Sequence, residues 1–288
     1  MDYAYILMQA LNGIQQGLLL FLVASGLTLI FGIMGVINLA HGSFYMIGAY
    51  LAYYLAAKIG NLWLAILFGV MLTIALGYLI EKIFISRLYK RDHLYQVLFT
   101  YGLILIFEEL RSIFVGDDVH SVAIPKFLNF SIALSDTLSY PFYRLFISLV
   151  CLALAVGMYW LIQKTRLGMT IRAGASNREM AQSLGIDINR LFALVFAAGV
   201  ALAAFAGMIA APVNTVFPGM GNQVIIICFV AVVIGGIGSV KGAFFAALII
   251  GLVDTFGRVL APQLAGIAVY LLMAVVLLWR PEGLFKRT

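Results

Sequence analysis

Runs of Leu, Ile, Val, Phe and Ala, broken by short clusters of charge, proline and glycine, divide the chain into nine apolar segments. They are Ile6–Phe31, Gly42–Ala57, Leu62–Ile85, Leu94–Val115, Phe142–Ile162, Leu191–Ala211, Asn222–Ile234, Ala243–Phe256 and Leu264–Trp279. Segments of roughly 15–25 apolar residues have the length of helices that cross a bilayer. Their apolar residues do not alternate with polar ones, which argues against a transmembrane β-barrel. The pattern predicts an all-α, polytopic transmembrane helical bundle of about eight to ten membrane segments, forming one domain over residues 1–288. Three segments, 42–57, 222–234 and 243–256, are short, and each abuts a glycine-rich break. Unwound backbone is tolerated within a membrane only where protein buries it or a water-filled cavity meets it. Short, glycine-interrupted helices are therefore a pointer to a transport path.

Composition strengthens this picture. Of the 288 residues, 64% are hydrophobic and only 10% charged, against roughly a quarter charged in soluble domains. The mean hydropathy is +1.08. The opening MDYAYILMQA has no basic region, and no short apolar core ends in a small-residue cleavage site, so the first segment is expected to stay in the mature protein. The net charge of +6 lies in loops, where it marks membrane orientation rather than a nucleic-acid partner. Thirteen Lys and Arg fall in one set of loops (82–91, 164–190, Lys241 and 280–287) and five in the other (Lys58, Arg111, Lys126, Arg144 and Arg258). The richer side is expected to be cytoplasmic. The C-terminus is then inside and, with nine crossings, the N-terminus outside. Cys151 and Cys228 sit in apolar segments and read as small buried hydrophobes.

The break in GIMGVINLAHGSFYMIGAY (32–50) gathers Asn38, His41 and Ser43 among Gly32, Gly35, Gly42 and Gly48. Glycine permits the break and close packing, and the three polar side chains can satisfy backbone groups that it exposes. A second glycine-rich run aligns with it at a shift of 200 residues, GVINLAHGSFY (35–45) over GGIGSVKGAFF (235–245). Gly35 meets Gly235, Gly42 meets Gly242, and Gly236 and Gly238 fall in the second break. This possible internal repeat would frame one central pathway, with Asn38, His41, Gly42, Ser43, Gly235, Gly236, Gly238 and Gly242 lining it or forming its breaks. His41 has no second His or Cys at ligand spacing, so no metal site is expected. A hydrogen-bonding role on the path and a structural one both remain open.

Residues 163–190 form the longest polar stretch on the basic side. Ser176 or Asn177 can cap a short helix, Met180 and Leu184 share one face, Ala181 and Gly185 offer a small-residue face, and Gly185 can end the helix. Such a helix suits docking into a partner's groove or lying on lipid headgroups. FEELR (107–111) suggests a local Glu–Arg pair or an outer gate. Asp254 and Arg258 are spaced to pair on a helix. The outer loop 116–141 allows two short strands or an irregular cap. Gln15, Gln16, Ser25 and Thr28 punctuate the first segment as hydrogen-bonding residues.

The runs INLAHGSFYMIGAYLA, RAGASNREMAQSLGIDINRLFALVFAAGVALAAFAGMIAAP and VVIGGIGSVKGAFFAALIIG resemble permease subunits of ATP-binding-cassette importers for branched-chain amino acids. The likeness extends over nearly the whole chain. It implies a subunit in the inner membrane of a bacterium that pairs with a second homologous permease. It implies two cytoplasmic ATPase subunits below and a periplasmic substrate-binding protein above. Arg178, Glu179, Ala181, Leu184 and Gly185 would belong to the ATPase coupling loop. That loop departs from the best-known coupling motif, which begins Glu-Ala-Ala. The resemblance implies no catalysis and no cofactor for this chain itself, with ATP used by partner subunits. No Gly-Lys dipeptide is present, so a phosphate-binding loop of the G-x-x-x-x-G-K-[ST] type is lacking. Related permeases for urea, short amides or other amino acids carry similar motifs. A stand-alone secondary transporter would need ion-coupling carboxylates deep in the membrane, and here they lie near segment ends.

Overall fold

The computed structural model describes residues 3–89, 91–135 and 138–285. Lys90, Lys286 and Arg287, three of the basic residues behind the expected orientation, lie outside the described residues, as do residues 136 and 137 of the outer loop. Helix α1 (Tyr3–Leu29) runs on through a π turn, Ile30–Met34. After residues 35–40 come α2 (His41–Ile59) and α3 (Leu62–Ile80), the latter continued by a second π turn, Glu81–Ile85, and a closing turn α4 (Ser86–Leu88). Helix α5 (His93–Val115) leads to a single-turn 3₁₀ piece, Lys126–Leu128, and a hairpin of β1 (Ser131–Ser135) and β2 (Leu138–Pro141). There follow α6 (Phe142–Lys164), α7 (Arg166–Ser176), α8 (Arg178–Ser183), α9 (Ile188–Ala210), α10 (Met220–Gly235), α11 (Val240–Leu260) and α12 (Ala265–Trp279).

All nine apolar segments are helical. Among the described residues, five helices are long and apolar enough to cross a membrane: those spanning Tyr3–Met34, Leu62–Leu88, Phe142–Lys164, Ile188–Ala210 and Val240–Leu260. The shortness expected of three segments holds for α10 at 16 residues but not for α2 at 19 or α11 at 21. Helix α11 starts early because Ser239 accepts the Gly242 N–H at 3.0 Å, a side-chain cap of the usual kind. It also runs past Phe256 into a turn carrying the Asp254–Arg258 pair, at 3.0 Å. The outer loop contains one antiparallel hairpin, with Ile132 opposite Tyr140. The stretch before it holds the 3₁₀ turn and a bridge between His120 and Val216 rather than a second pair of strands.

The end of the bundle holding Tyr3 is here the upper end, and that holding Met34 the lower. Helices α1 and α9 form the buried centre. In each, 72% of the most apolar stretch is buried, against 33% for α3 and 22% for α6. Helix α1 packs most extensively on α11, while α9 lies against α1, α2 and α3. The approach is backbone to backbone. A Cβ at Gly48 would overlap the Ala204 carbonyl, and one at Gly207 the Tyr45 carbonyl. Small residues permit such contact where burial in lipid gives apolar side chains little to gain.

Candidate translocation site

Gly35 ends α1 in the left-handed conformation, φ +67°, its N–H bonded to the Phe31 carbonyl at 3.1 Å. Beyond it, Val36, Asn38 and Ala40 are buried. The ring Nε2 of His41 then donates to the Val23 carbonyl, 2.9 Å away. Val23 lies eleven residues before Met34, roughly 16 Å up α1 at 1.5 Å per residue. Helix α2 thus begins deep within the protein, and residues 35–40 are the unwound backbone that takes the chain there. Gly26 leaves room for the imidazole, since a Cβ there would fall 3.0 Å from His41 Cε1.

The polar residues of this break divide their work differently from the expectation. His41 bonds a carbonyl of α1. The Leu39 N–H is taken by Thr100 Oγ1 of α5 at 3.3 Å, a residue the sequence reading missed. Its only signal was a hydroxyl in an apolar run. Ser43 is buried in the first turn of α2. Asn38 is 0% exposed, and among the described residues neither its amide nitrogen nor its oxygen has a hydrogen-bond partner, nor has the Nδ1 of His41. Buried polar atoms are seldom left so.

Gly235, Gly236, Gly238 and Gly242 form the second break. Helix α10 stops at Gly235, and Gly236 (φ +95°) and Gly238 (φ +82°) turn the chain into α11. Its orphan carbonyls are met by residues 284 and 285, which bond the Ile234 and Gly235 carbonyls at 2.8 and 3.2 Å. Under the 200-residue shift the helix starts at His41 and Val240 agree within one residue. Gly42 and Gly242 both make close packing contacts. Each is pressed into α10, Gly42 against the Gly221 carbonyl and Gly242 against that of Gly235.

Two adjoining cavities open at the upper end. The wider, about 310 Å³, is rimmed by Asn12, Arg144, Asp254 and Arg258. The narrower, about 60 Å³, has an aliphatic floor of Leu19, Leu20, Val23, Ile227, Ile250 and Val269. Gln16, Asn214 and Asp254 line both. Arg144 donates to Asn12 at 2.9 Å, so its charge meets an amide rather than a carboxylate. Val23 and Tyr45 connect this floor to the break, since His41 bonds the one and precedes the other by one turn of α2. A separate cavity of about 320 Å³ opens at the lower end and includes Thr28, Gly32 and Gly238. Between upper and lower cavities Ala24, Leu27, Ala243, Ala246 and Ala247 are all 0% exposed, closing the way with four alanines and a leucine. Ser25 and Thr28 bond carbonyls of their own helix, Leu22 at 2.8 Å and Ala24 at 2.7 Å, not a neighbouring one.

The lower loop carries two helices where one was expected. Thr165 caps α7 and Asn177 caps α8, accepting from Gly168 at 3.1 Å and Met180 at 2.9 Å. Gly185 follows α8 with φ +84°. Met180 and Leu184 are 59% and 75% exposed, and Glu179 is exposed too. Ala181 instead turns inward, 2% exposed, so it offers no surface to a partner. The Arg178 guanidinium stacks on Tyr89 and Phe192, 4.7 and 4.5 Å from the ring centres, and the Tyr89 hydroxyl donates to the buried Glu81 of the second π turn. The loop is thereby fastened to α3 and α9.

At the upper end, FEELR makes a latch. Arg111, its side chain 8% exposed, bonds Glu108 at 3.2 Å, Asp117 at 2.9 Å and the Gly116 carbonyl at 2.6 Å. The Arg111 hydrogen bond holds the Asp117 carboxyl below the usual carboxylate range.

Five helices long and apolar enough to cross a membrane, packed about the buried α1 and α9, make this a multi-pass helical membrane protein. The comparisons with known proteins make that class specific. The family described as branched-chain amino acid transport system, permease component, matches residues 9–278. The chain belongs to this family. It is 32% identical to the permease protein BraD of the high-affinity branched-chain amino acid transport system of Pseudomonas aeruginosa, over 98% of this chain and 96% of BraD. It is 29% identical to LivH of Escherichia coli K12, a permease protein of the high-affinity branched-chain amino acid transport system, over 99% of this chain and 97% of LivH. LivM, another permease protein of that name from the same organism, is 27% identical over 91% of this chain and 67% of LivM.

Proposed function

We propose that this chain is the membrane-spanning permease subunit of an ATP-driven importer of leucine, isoleucine and valine. The upper cavities carry the reading. Arg144, Asp254 and Arg258 set charges of both signs at the rim, and the floor below is aliphatic. A branched-chain amino acid has the same division, with a charged α-carboxylate and α-ammonium at one end and a branched hydrocarbon at the other. Burial of the hydrocarbon drives binding, and the charged rim fixes orientation.

The lower end, rich in Lys and Arg, faces the cytoplasm of a bacterial inner membrane. The exposed pair Met180 and Leu184 docks there on one of two ATPase subunits, and Arg178 passes the movement to α3 and α9. A periplasmic binding protein delivers substrate above. A second permease completes the channel, a pairing supported by the likeness of this chain to both LivH and LivM. This chain binds no ATP and catalyses no covalent step.

The test is uptake of labelled leucine, with urea as competitor, in cells lacking this chain and then complemented with it alongside its partner subunits. Restored leucine uptake that urea does not inhibit is expected. Restored urea uptake alone would overturn the substrate, and restoration of neither would overturn the transport of both solutes.

A further inference from the structure

Helices α6 and α11 both pack on α1 and leave a groove between them. Its volume is about 190 Å³, its floor is Phe21, and its walls are Leu152, Ala155, Val156, Phe244 and Phe245. Val156 and Phe245 are exposed, and on helices of a membrane bundle such apolar exposure faces the bilayer. The groove adjoins the lower cavity of about 320 Å³, and the two share Tyr159, Val240 and Lys241.

The chemistry changes sharply at that junction. The lower cavity is lined by Gln163, Arg172, Ser176, Ser239 and Lys241, with no carboxylate among its lining residues. The Lys241 ammonium stands 5.3 Å above the Tyr159 ring, and Arg172 donates to the Ile162 carbonyl. Neither cation has an ion-pair partner among the described residues. From Tyr159 to Leu152 the groove follows α6 for roughly 10 Å at the helical rise. A free anion would use the basic cavity alone. A ligand that uses both parts has an anionic head and a hydrocarbon tail.

We propose that the cavity and groove form one binding site for an anionic phospholipid of the lower leaflet. The phosphate lies between Arg172 and Lys241, with hydrogen bonds from Ser176 and Ser239, and an acyl chain lies over Phe21 between α6 and α11. Basic pockets between membrane helices are a recurrent setting for such headgroups. The site depends on the membrane fold and not on which solute is carried.

The full chain, purified with its partner subunits in mild detergent, is exposed to equal amounts of phosphatidylglycerol and phosphatidylcholine, and bound lipid is counted by native mass spectrometry. With two basic residues, a preference for phosphatidylglycerol of roughly tenfold to thirtyfold is expected. Arg172→Gln with Lys241→Gln should abolish the preference, and Arg172→Lys with Lys241→Arg should retain it. Val156→Trp, which fills the groove at an exposed position and leaves both charges, should release the lipid. Equal retention of the two lipids by the wild type would overturn the proposal. So would a preference that survives the double Gln substitution. Displacement of the lipid by inorganic phosphate, with Val156→Trp without effect, would make it a free-anion site and overturn the lipid assignment.

Discussion

The imidazole of His41 donates from Nε2 to the Val23 carbonyl at 2.9 Å, joining the first turn of α2 to the interior of α1. The same Val23 lines the floor of the upper cavity. A residue that sets where α2 begins therefore also touches the wall of the proposed substrate site. His41→Ala removes the bond and leaves a void between α1, α2 and Gly26. A loss of about 2–4 kcal/mol is expected, visible as a lowered thermal midpoint in detergent. An unchanged midpoint would show that the bond does not hold the break.

Gly42 and Gly157 should respond oppositely to a side chain. A Cβ at Gly42 overlaps the Gly221 carbonyl and comes within 2.7 Å of Ile225 Cβ, whereas one at Gly157 meets nothing within 4 Å. Gly42→Leu is expected to abolish folded protein in the membrane, not merely to slow transport. Gly157→Ala should be neutral or stabilising by up to ~1 kcal/mol. Folded yield after size-exclusion chromatography checks both, and normal yield of the Leu variant would refute the close contact.

Ile227 lies on the aliphatic floor and is only partly buried. Ile227→Trp should fill that small cavity and lower leucine uptake at least about tenfold, with membrane abundance near that of the wild type. Undiminished uptake would move the substrate path elsewhere in the bundle.

Met180 and Leu184 are exposed at the lower end while Ala181 is buried. Met180→Asp with Leu184→Asp should uncouple ATP hydrolysis from uptake without loss of folded permease. The readout is substrate-stimulated ATPase activity of the reconstituted complex, and full stimulation would exclude this face from coupling.

Asp117 gives a pH prediction with a definite sign. Its folded-state pKa is lowered by Arg111. The contribution of this pair is therefore complete above the unfolded carboxylate value and is lost as pH falls through the lowered folded one. Acidifying from about pH 7 to about pH 5 should leave the latch closed. Asp117→Asn should open it at neutral pH, read as faster amide exchange at residues 116–120, and unchanged exchange would rule the latch out.

Much of the helical framework was legible in the sequence because apolar length and charged breaks are one-dimensional signals. Asn177 as a cap, Gly185 as a stop and Asp254 beside Arg258 could likewise be read from local spacing. The partners of Leu39 and His41 could not, because Thr100 and Val23 belong to other helices and nothing local marks them. The same applies to the upper cavity. Arg144, Asn214 and Asp254 are far apart in the chain and meet only after α6, α11 and the turn that follows α9 have packed. The burial of Ala181 was also hidden, since spacing identifies a face but not its direction.

Helix α10 is gripped at both ends by glycines of different helices, Gly42 of α2 at Gly221 and Gly242 of α11 at Gly235. These grips are made by main chain, so no rotamer change can slacken them. A displacement of α10 must carry the starts of α2 and α11 with it or break both contacts. The two glycine-rich turns would then act as a pair of linked pivots about a single rod.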